Sequence, residues 1–351
     1  MTGVAKAYVI LVNYNGWRDT LNCIESLQSM RHANFEIIVV DNCSADQSVR
    51  HLSEQLTVAE ISAADVSEFM PNSTGINGDT SRKTPDGTTR AKRNDSGASH
   101  SVVIIKSEEN LGFAGGNNLA IRYVFDRGDA DYVWLLNNDT VVHRYALTEL
   151  ITTIEGHAEG SNPIAMCGSL ILDFEQRSTI QAYGGAHVNP FLGMTRNLRA
   201  GEIVLDSGDF RSNEIPDYIS GCSLLVRRES IEVFGLLDEY YFLYWEDTEW
   251  CYRCKKNGFG LAVTEKSLVW HRRGSTTKRF PISGYYNARN CLLFIREYYP
   301  THLVSCLVLK PLVLFAILLR NRDFFYFWAS LRGYAKFLRA GLLRRDVRSE
   351  A

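Results

Sequence analysis

The 351-residue chain is predicted to be an α/β protein, a mostly parallel sheet covered by helices on both faces and followed by a helical C-terminal region. Three observations carry this reading. Short apolar runs alternate with helix-patterned stretches over residues 7–136, the pattern of successive βαβ units. Those runs are continuous rather than alternating, as in strands buried on both sides. From residue 301 the chain turns apolar, aromatic and basic, with nine Lys/Arg against three Asp/Glu.

Taken in order, residues 7–13 (AYVILVN) are a buried strand, 19–30 a helix, and 35–40 a second strand that ends in Asp41. A helix over 46–57 follows. Residues 59–101 are rich in Ser, Thr, Asn, Gly, Asp, Lys and Arg, with Phe69 their single aromatic, and are expected to form a mobile insertion. Order resumes with a strand at 102–106, a glycine-rich stretch at 109–118 that opens a helix to about 126, and a strand at 132–136. Residues 165–226 read as short strands and glycine turns, followed by a helix at 229–234. A helix from Trp245, stopped by Gly258, and a strand at 260–270 complete a domain over 1–300. In parallel sheets, ligands bind beyond the carboxyl ends of the strands.

Composition excludes some functions. A net charge of −2 argues against general nucleic-acid binding. Eight scattered cysteines in so long a chain point to a reduced compartment rather than to a disulfide framework. The first apolar run is too short and wrongly flanked for a signal peptide. In 301–351 the apolar stretch 302–319 is broken by Lys310 and Pro311, which predicts interfacial helices rather than a clean bilayer span. Phe324, Phe325, Tyr326, Phe327 and Trp328 would face lipid, and Arg332, Lys336 and Arg339 the headgroups. Packing on the main domain, or on a second copy in a homo-oligomer, is the alternative.

Four clusters can carry chemistry. Asp41 ends an apolar strand and can accept from a base N–H or a ribose hydroxyl, although Asp after a strand also serves in turns. Leu135-Leu136-Asn137-Asn138-Asp139-Thr140 offers a strand-end carboxylate to a hard cation carrying phosphate oxygens, or a helix cap. Trp245-Glu246-Asp247-Thr248-Glu249-Trp250 sets three carboxylates between aromatics, as a proton acceptor beside a platform for sugar rings would, or as an acidic helix start would. Asn110 to Asn118 (NLGFAGGNN) lets backbone approach a phosphate or ribose, but lacks the G-x-G-x-x-G spacing of a dehydrogenase. Cys251 and Cys254, without a second pair at ligand spacing, read as buried thiols rather than zinc or redox cysteines.

Together, VILVNYNG at 9–16, IIVVDNCSADQS at 37–48, NLGFAGGNN, LLNNDT at 135–140, Ser220-Gly221-Cys222 and WEDTEW resemble family 2 glycosyltransferases of GT-A fold, with the look of rhamnosyltransferases and galactofuranosyltransferases. The resemblance covers about residues 7–300. It implies that Asn13, Asp41, Gly112, Asn117 and Asn137 serve the nucleotide donor and that Asp139 and His271 bind Mg²⁺ or Mn²⁺. By the same token Asp247 is the catalytic base, with Trp245, Glu246 and Trp250 on the acceptor or sugar side. Asn137 replaces the first carboxylate of the family's Asp-x-Asp motif. The implied activity is inverting transfer, foremost of rhamnose from a dTDP-sugar, with a UDP-sugar and galactofuranosyl or other hexosyl transfer as the alternative. The acceptor would be a glycan or lipid-linked glycan in cell-surface polysaccharide synthesis, and the place the cytoplasmic face of the cell membrane. An inactive nucleotide-sugar-binding scaffold is the non-enzymatic reading.

Overall fold

The computed structural model describes residues 4–66, 101–157, 162–204, 212, 214–272 and 282–341. In chain order these form β1 (Ala7–Asn13), α1 (Trp17–Gln28), β2 (Phe35–Asp41), α2 (Ser48–Gln55), β3 (Val58–Ser62), β4 (Val102–Lys106), α3 (Gly112–Arg127), β5 (Tyr132–Leu136), β6 (Thr140–Val142) and α4 (Ala146–Glu155). There follow β7 (Ile164–Asp173), β8 (Ile180–Tyr183), β9 (Gly185–Asn189), β10 (Met194–Asn197), β11 (Tyr218–Ile219), β12 (Ser223–Arg227), α5 (Arg228–Phe234), α6 (Glu246–Lys256) and β13 (Gly260–His271). Three helices end the described chain, α7 (Ile282–Tyr298), α8 (Leu303–Asn321) and α9 (Phe324–Gly341).

The strand period of two sorts β1 into two cores. Ala7, Val9 and Leu11 pack with α1, α2 and α4, whereas Tyr8 and Ile10 pack with α3, α5 and α6. Thr20, Cys23, Ile24 and Leu27 of α1 recur at helical spacing and are buried. The sheet order is β3-β4-β2-β1-β5-β12-β7-β13-β6, with β8 paired to β7. Strands β3 through β5 in that order are all parallel, while β12 runs antiparallel between β5 and β7. A small antiparallel sheet, β10-β9-β11, stands beside it. The carboxyl ends of β1, β2 and β5 therefore bring Asn13, Asp41 and Asn137 to one edge.

Two expectations need correction. The polar segment does not begin at residue 59: Val58–Ser62 is the outer strand of the sheet, in register with β4 and tied to it by Glu60 and Lys106 at 3.0 Å. The rest of the proposed insertion, 67–100, lies outside the described residues. Nor do Lys310 and Pro311 break the C-terminal stretch, because α8 runs through both. Lys310 turns inward, 5% exposed, and its Nζ donates to the Gly193 carbonyl at 2.6 Å. By length and composition, the helix with its preceding turn, Pro300–Asn321, is sufficient to cross a membrane. On α9, Phe324, Phe325 and Trp328 are exposed, whereas Tyr326 and Phe327 are half-buried. α7, α8 and α9 share a core with Tyr241 and Trp245, through Phe294, Cys306 and Phe337.

Candidate active site

At the edge of β1 and β2, Asn13 Nδ2 donates to Asp41 Oδ1 at 2.8 Å and to Ser44 Oγ at 3.1 Å, while Asn13 Oδ1 accepts from the Thr20 hydroxyl. The Ser44 N–H donates to Asp41 Oδ2. Asn13 is wholly buried, so it holds Asp41 rather than lining an open site. Asn42 does parallel work. Its Nδ2 donates to Asn110 Oδ1 and the Gly112 carbonyl, and its Oδ1 accepts from the Leu111 N–H, tying β2 to the start of α3. Gly112 stands at that start with φ +71°, in the left-handed region that favours glycine. Asn117, also buried, spends its amide on the Phe113 carbonyl one turn back and supports the helix instead of reaching outward.

The end of β5 meets the end of β13. Thr140 pairs with His271, which brings His271 Nε2 to 3.2 Å from Asp139 Oδ1 and 3.3 Å from Asn137 Nδ2. The partners of Gln181 settle the imidazole tautomer. Gln181 Nε2 donates to the His271 carbonyl at 2.7 Å and to Asp173 Oδ2, so Gln181 Oε1 accepts from His271 Nδ1–H at 3.0 Å. Nε2 then faces Asp139 with a lone pair to offer whenever it is unprotonated. Burial opposes charge on the ring, but the neighbouring Cys222 sulfur and Asp139 carboxylate outweigh it and raise the His271 pKa well above its ordinary value. One carboxylate and one imidazole fit a divalent cation whose other ligands are diphosphate oxygens and water. Among the described residues no group of three or more His, Cys, Asp or Glu converges as a protein-only metal cage.

The three carboxylates of α6 separate into three environments. Asp247 is half-buried; its Oδ2 accepts from the Gly221 N–H at 2.9 Å, and its Oδ1 from the Thr248 N–H at 2.7 Å and hydroxyl at 3.2 Å. A helix N-terminus alone would favour the charged form, yet here burial raises the pKa of Asp247 against the pull of these donors. Glu249 is fully buried in a bidentate pair with Arg253 and accepts from the Tyr298 hydroxyl, a structural role. Glu246 is buried with Oε2 unpartnered, and burial first, then the Asp247 charge, push its pKa well above the ordinary value.

The aromatic flanks behave differently from the sequence expectation. Trp250 is a core side chain with no exposure; its indole N–H donates to the Gly235 carbonyl and its ring packs against Phe234. Trp245 is also buried, with Nε1 on Asn287 Oδ1 and its ring on Phe294. Neither offers a face to a sugar. The half-buried Phe242 and Tyr286, stacked at 4.8 Å, and Phe113, whose ring lies 3.0 Å from a β-carbon position on Gly221, are the aromatics set near Gly112 and Gly221. Cys251 and Cys254 are buried in the core and unpaired, as expected of plain thiols.

Ser220-Gly221-Cys222 links the two halves of the site. The Gly221 N–H holds Asp247, and the next carbonyl, of Cys222, accepts from the Asn137 N–H at 3.0 Å, so one short segment fixes a carboxylate against the Asn137–Asp139 edge. Asn42, Gln181 and Gly221 were not singled out from the sequence as site residues. Their roles arise from partners 26 to 90 positions away.

Comparison with known proteins agrees with this geometry. The family model described as glycosyl transferase family 2 matches residues 8–60 and 80–197. The dTDP-rhamnosyl transferase RfbF of Shigella flexneri is 24% identical over 213 residues, 58% of this chain and 66% of that protein. The low-salt glycan biosynthesis hexosyltransferase Agl10 of Haloferax volcanii is 26% identical over 184 residues, 52% of this chain and 55% of that one. The chain thus spans less than two thirds of the length of either relative. Among solved structures, the mannosyltransferase PcManGT from Pyrobaculum calidifontis, in complex with GDP-Man and Mn²⁺, superposes with a TM-score of 0.51 at 12% identity over 98% of this chain and 77% of that one, a likeness of fold. With its GT-A sheet and the six motif blocks set around one edge of it, the chain belongs to glycosyl transferase family 2.

Proposed function

We propose that this glycosyltransferase inverts the anomeric centre as it moves rhamnose from dTDP-rhamnose to a hydroxyl of a glycan or lipid-linked glycan in cell-surface polysaccharide synthesis. The observation that carries the reading is Asp247, a half-buried carboxylate with raised pKa, tied through Gly221 and Cys222 to the Asn137–Asp139 edge. Asp247 takes the proton of the acceptor hydroxyl as its oxygen bonds to C1 of the sugar, and the C1–O bond to the diphosphate breaks with its electron pair going to the leaving group. A single displacement inverts the centre. Neither neighbouring carboxylate suits a second, covalent step, since Glu249 is held by Arg253 and Glu246 is kept from ionising by burial.

Asp41, held by Asn13 and Ser44, accepts from the base or ribose in this reading, and the left-handed Gly112 turn supports an approach of backbone to the donor. Asp139 and His271 would hold Mg²⁺ or Mn²⁺, which when bound neutralises charge on the departing diphosphate. The relatives support the sugar assignment: one is named for dTDP-rhamnosyl transfer, and the other is a hexosyltransferase, which keeps hexosyl or galactofuranosyl transfer as the second reading. The apolar and basic C-terminal helices support peripheral attachment to the cytoplasmic face of the membrane. A panel of dTDP-, UDP- and GDP-sugars, assayed for released nucleoside diphosphate with Mn²⁺, Mg²⁺ or chelator, tests the reading. Turnover of dTDP-rhamnose with metal, and an inverted anomer by NMR, is expected. Metal-independent turnover, a retained anomer, or preference for a different sugar would overturn the corresponding part.

A further inference from the structure

The segment before Asp247 is bent in a way its residues resist. Phe242, Tyr244 and Trp245 all have positive φ, at 63°, 68° and 74°. Bulky side chains rarely adopt this region, and such backbone persists only where its surroundings over-determine it. The backbone carbonyls show what does so. From Tyr240 to Tyr244, five consecutive carbonyl oxygens all accept hydrogen bonds, four of them from two adjacent residues of α7. Asn290 Nδ2 lies 2.7, 2.9 and 2.8 Å from the Tyr241, Leu243 and Tyr244 carbonyls. Arg289 Nη2 donates to the Tyr240 and Tyr241 carbonyls, and its Nε donates to Asn290 Oδ1 at 2.8 Å, fixing which end of the amide faces the loop. The fifth carbonyl, of Phe242, points the other way and accepts from the Phe113 and Ala114 N–H groups at 2.7 and 3.2 Å, at the start of α3.

Both α7 side chains are buried, Asn290 completely. The guanidinium is boxed by the rings of Tyr240, Tyr285 and Tyr286. The loop is thus stretched between α7 on one side and the Gly112 turn on the other, and it delivers Trp245, the left-handed residue that starts α6, two positions before Asp247.

We infer that Arg289 and Asn290 are positioning residues for the transfer reaction, holding the strained 241–245 loop so that Asp247 meets the acceptor hydroxyl at the correct place relative to the donor. The inference rests on Asp247 as the base. Without the Asn290 amide, the Leu243 and Tyr244 carbonyls lose their α7 donor, the Tyr241 carbonyl keeps only its remaining partners, and the positive-φ residues relax, displacing the start of α6. A shift of about 1 Å at a reacting group can lower the rate about 10²-fold.

Asn290→Asp keeps the shape but cannot donate, and Asn290→Ala removes the group; Arg289→Lys is the milder variant should either fail to fold. Each is measured with Asp247→Asn in parallel, normalised to sites that bind nucleoside diphosphate by calorimetry. The expected result is kcat lower by about 30- to 100-fold per binding site, donor Kd within about threefold, and an acidic limb of the pH–rate profile moved to lower pH as Asp247 loses burial. Arg289→Lys should fall between these variants and wild type. An unchanged kcat per site and an unmoved limb, whatever the loss of thermal stability, would make the pair merely structural and overturn the inference; so would a loss confined to donor affinity. Should Asp247→Asn itself keep more than about a tenth of the rate, the base assignment fails instead, whatever the α7 variants do.

Discussion

The carbonyl oxygen of Phe242 lies 2.3 Å from the point where a β-carbon on Gly112 would sit. The donor-side turn and the loop leading to Asp247 therefore touch through backbone, at a place only glycine permits. Gly112→Ala must both push that carbonyl away and hold φ near +71°, the second alone worth about 1–2 kcal/mol. It should lower thermal stability by about 2 kcal/mol or more and weaken donor binding. A variant as stable and as tight as wild type would show that the turn and the loop move independently.

Activity should fall on the acid side at a pH above that of an ordinary aspartate. The base works as a carboxylate, and burial raises the Asp247 pKa, so protonation begins to remove it at higher pH than the usual value of about 3.9. The profile of kcat/KM against pH reads this directly, and a limb at or below pH 4 would contradict it. Asp247→Asn should lose about 10²- to 10⁴-fold in kcat with donor affinity nearly unchanged.

The other two carboxylates of α6 should respond in opposite senses. Glu249→Ala strands Arg253, whose remaining N–H groups are committed to the Phe234 and Leu236 carbonyls, and should destabilise by about 3–5 kcal/mol without altering the chemistry of molecules that still fold. Glu246 has a folded pKa above its unfolded one, so the native state keeps a proton that the unfolded state loses, and its presence lowers stability as pH rises past the ordinary glutamate range. Glu246→Gln should therefore gain stability at pH 8 relative to pH 4. Urea unfolding of both variants at the two pH values decides the matter; equal gains at both would place an ionised Glu246 in the folded protein.

Asp139→Ala should abolish metal-dependent binding of nucleoside diphosphate, and His271→Ala should weaken it less. Gln181→Leu removes no proposed ligand, yet it frees the Nδ1 side of His271 and should weaken Mn²⁺-dependent binding by about 10- to 100-fold. Calorimetry with and without Mn²⁺ checks all three. An unaffected Gln181→Leu would mean that the Asp139–His271 contact alone sets the ring.

How far the sequence carried these conclusions depended on whether a residue's role lies in its own segment. The strand and helix alternation was legible because the period of β1 and α1 is set by the two cores they divide. Asp41, Asp139 and Asp247 were legible as carboxylates abruptly ending or starting an element. The outer strand Val58–Ser62 was not, since this five-residue edge strand buries no side chain fully and lacks the continuous apolar run of the inner strands. Trp250 shares a four-residue spacing with the buried Glu246 and Cys254, which on a helix sets its ring on the core face. Lys310 shares a four-residue spacing with the buried Cys306 and Leu314, and only its distant partner, the Gly193 carbonyl, shows that its charge faces inward. Asn13, Gln181 and Asn290 depend likewise on hydrogen bonds that no local pattern encodes.

With Lys310 turned inward, the outer face of α8 carries Val304, Val308, Leu312, Phe315 and Leu319, spaced at helical intervals and each more than half exposed. On α9, the exposed Phe325 and Trp328 continue at the same spacing into the exposed Arg332, Lys336 and Arg339. Burying such aliphatic or aromatic side chains contributes about 1.5–3 kcal/mol each, and each basic group near an anionic surface about 1 kcal/mol. Under the peripheral-attachment reading, paired Leu312→Glu and Phe315→Glu substitutions should abolish sedimentation with anionic liposomes, while a triple Arg332→Gln, Lys336→Gln, Arg339→Gln variant should keep residual binding that no longer responds to salt. These point changes are preferable to truncating the tail, because Phe337 of α9 lies in the core shared with Phe294 and its loss would disturb α7 as well. Turnover with a soluble acceptor should survive in both variants, separating attachment from chemistry. Undiminished liposome binding by the α8 pair would reject this face as the anchor, and wild-type protein that resists both high salt and carbonate would instead place α8 across the bilayer.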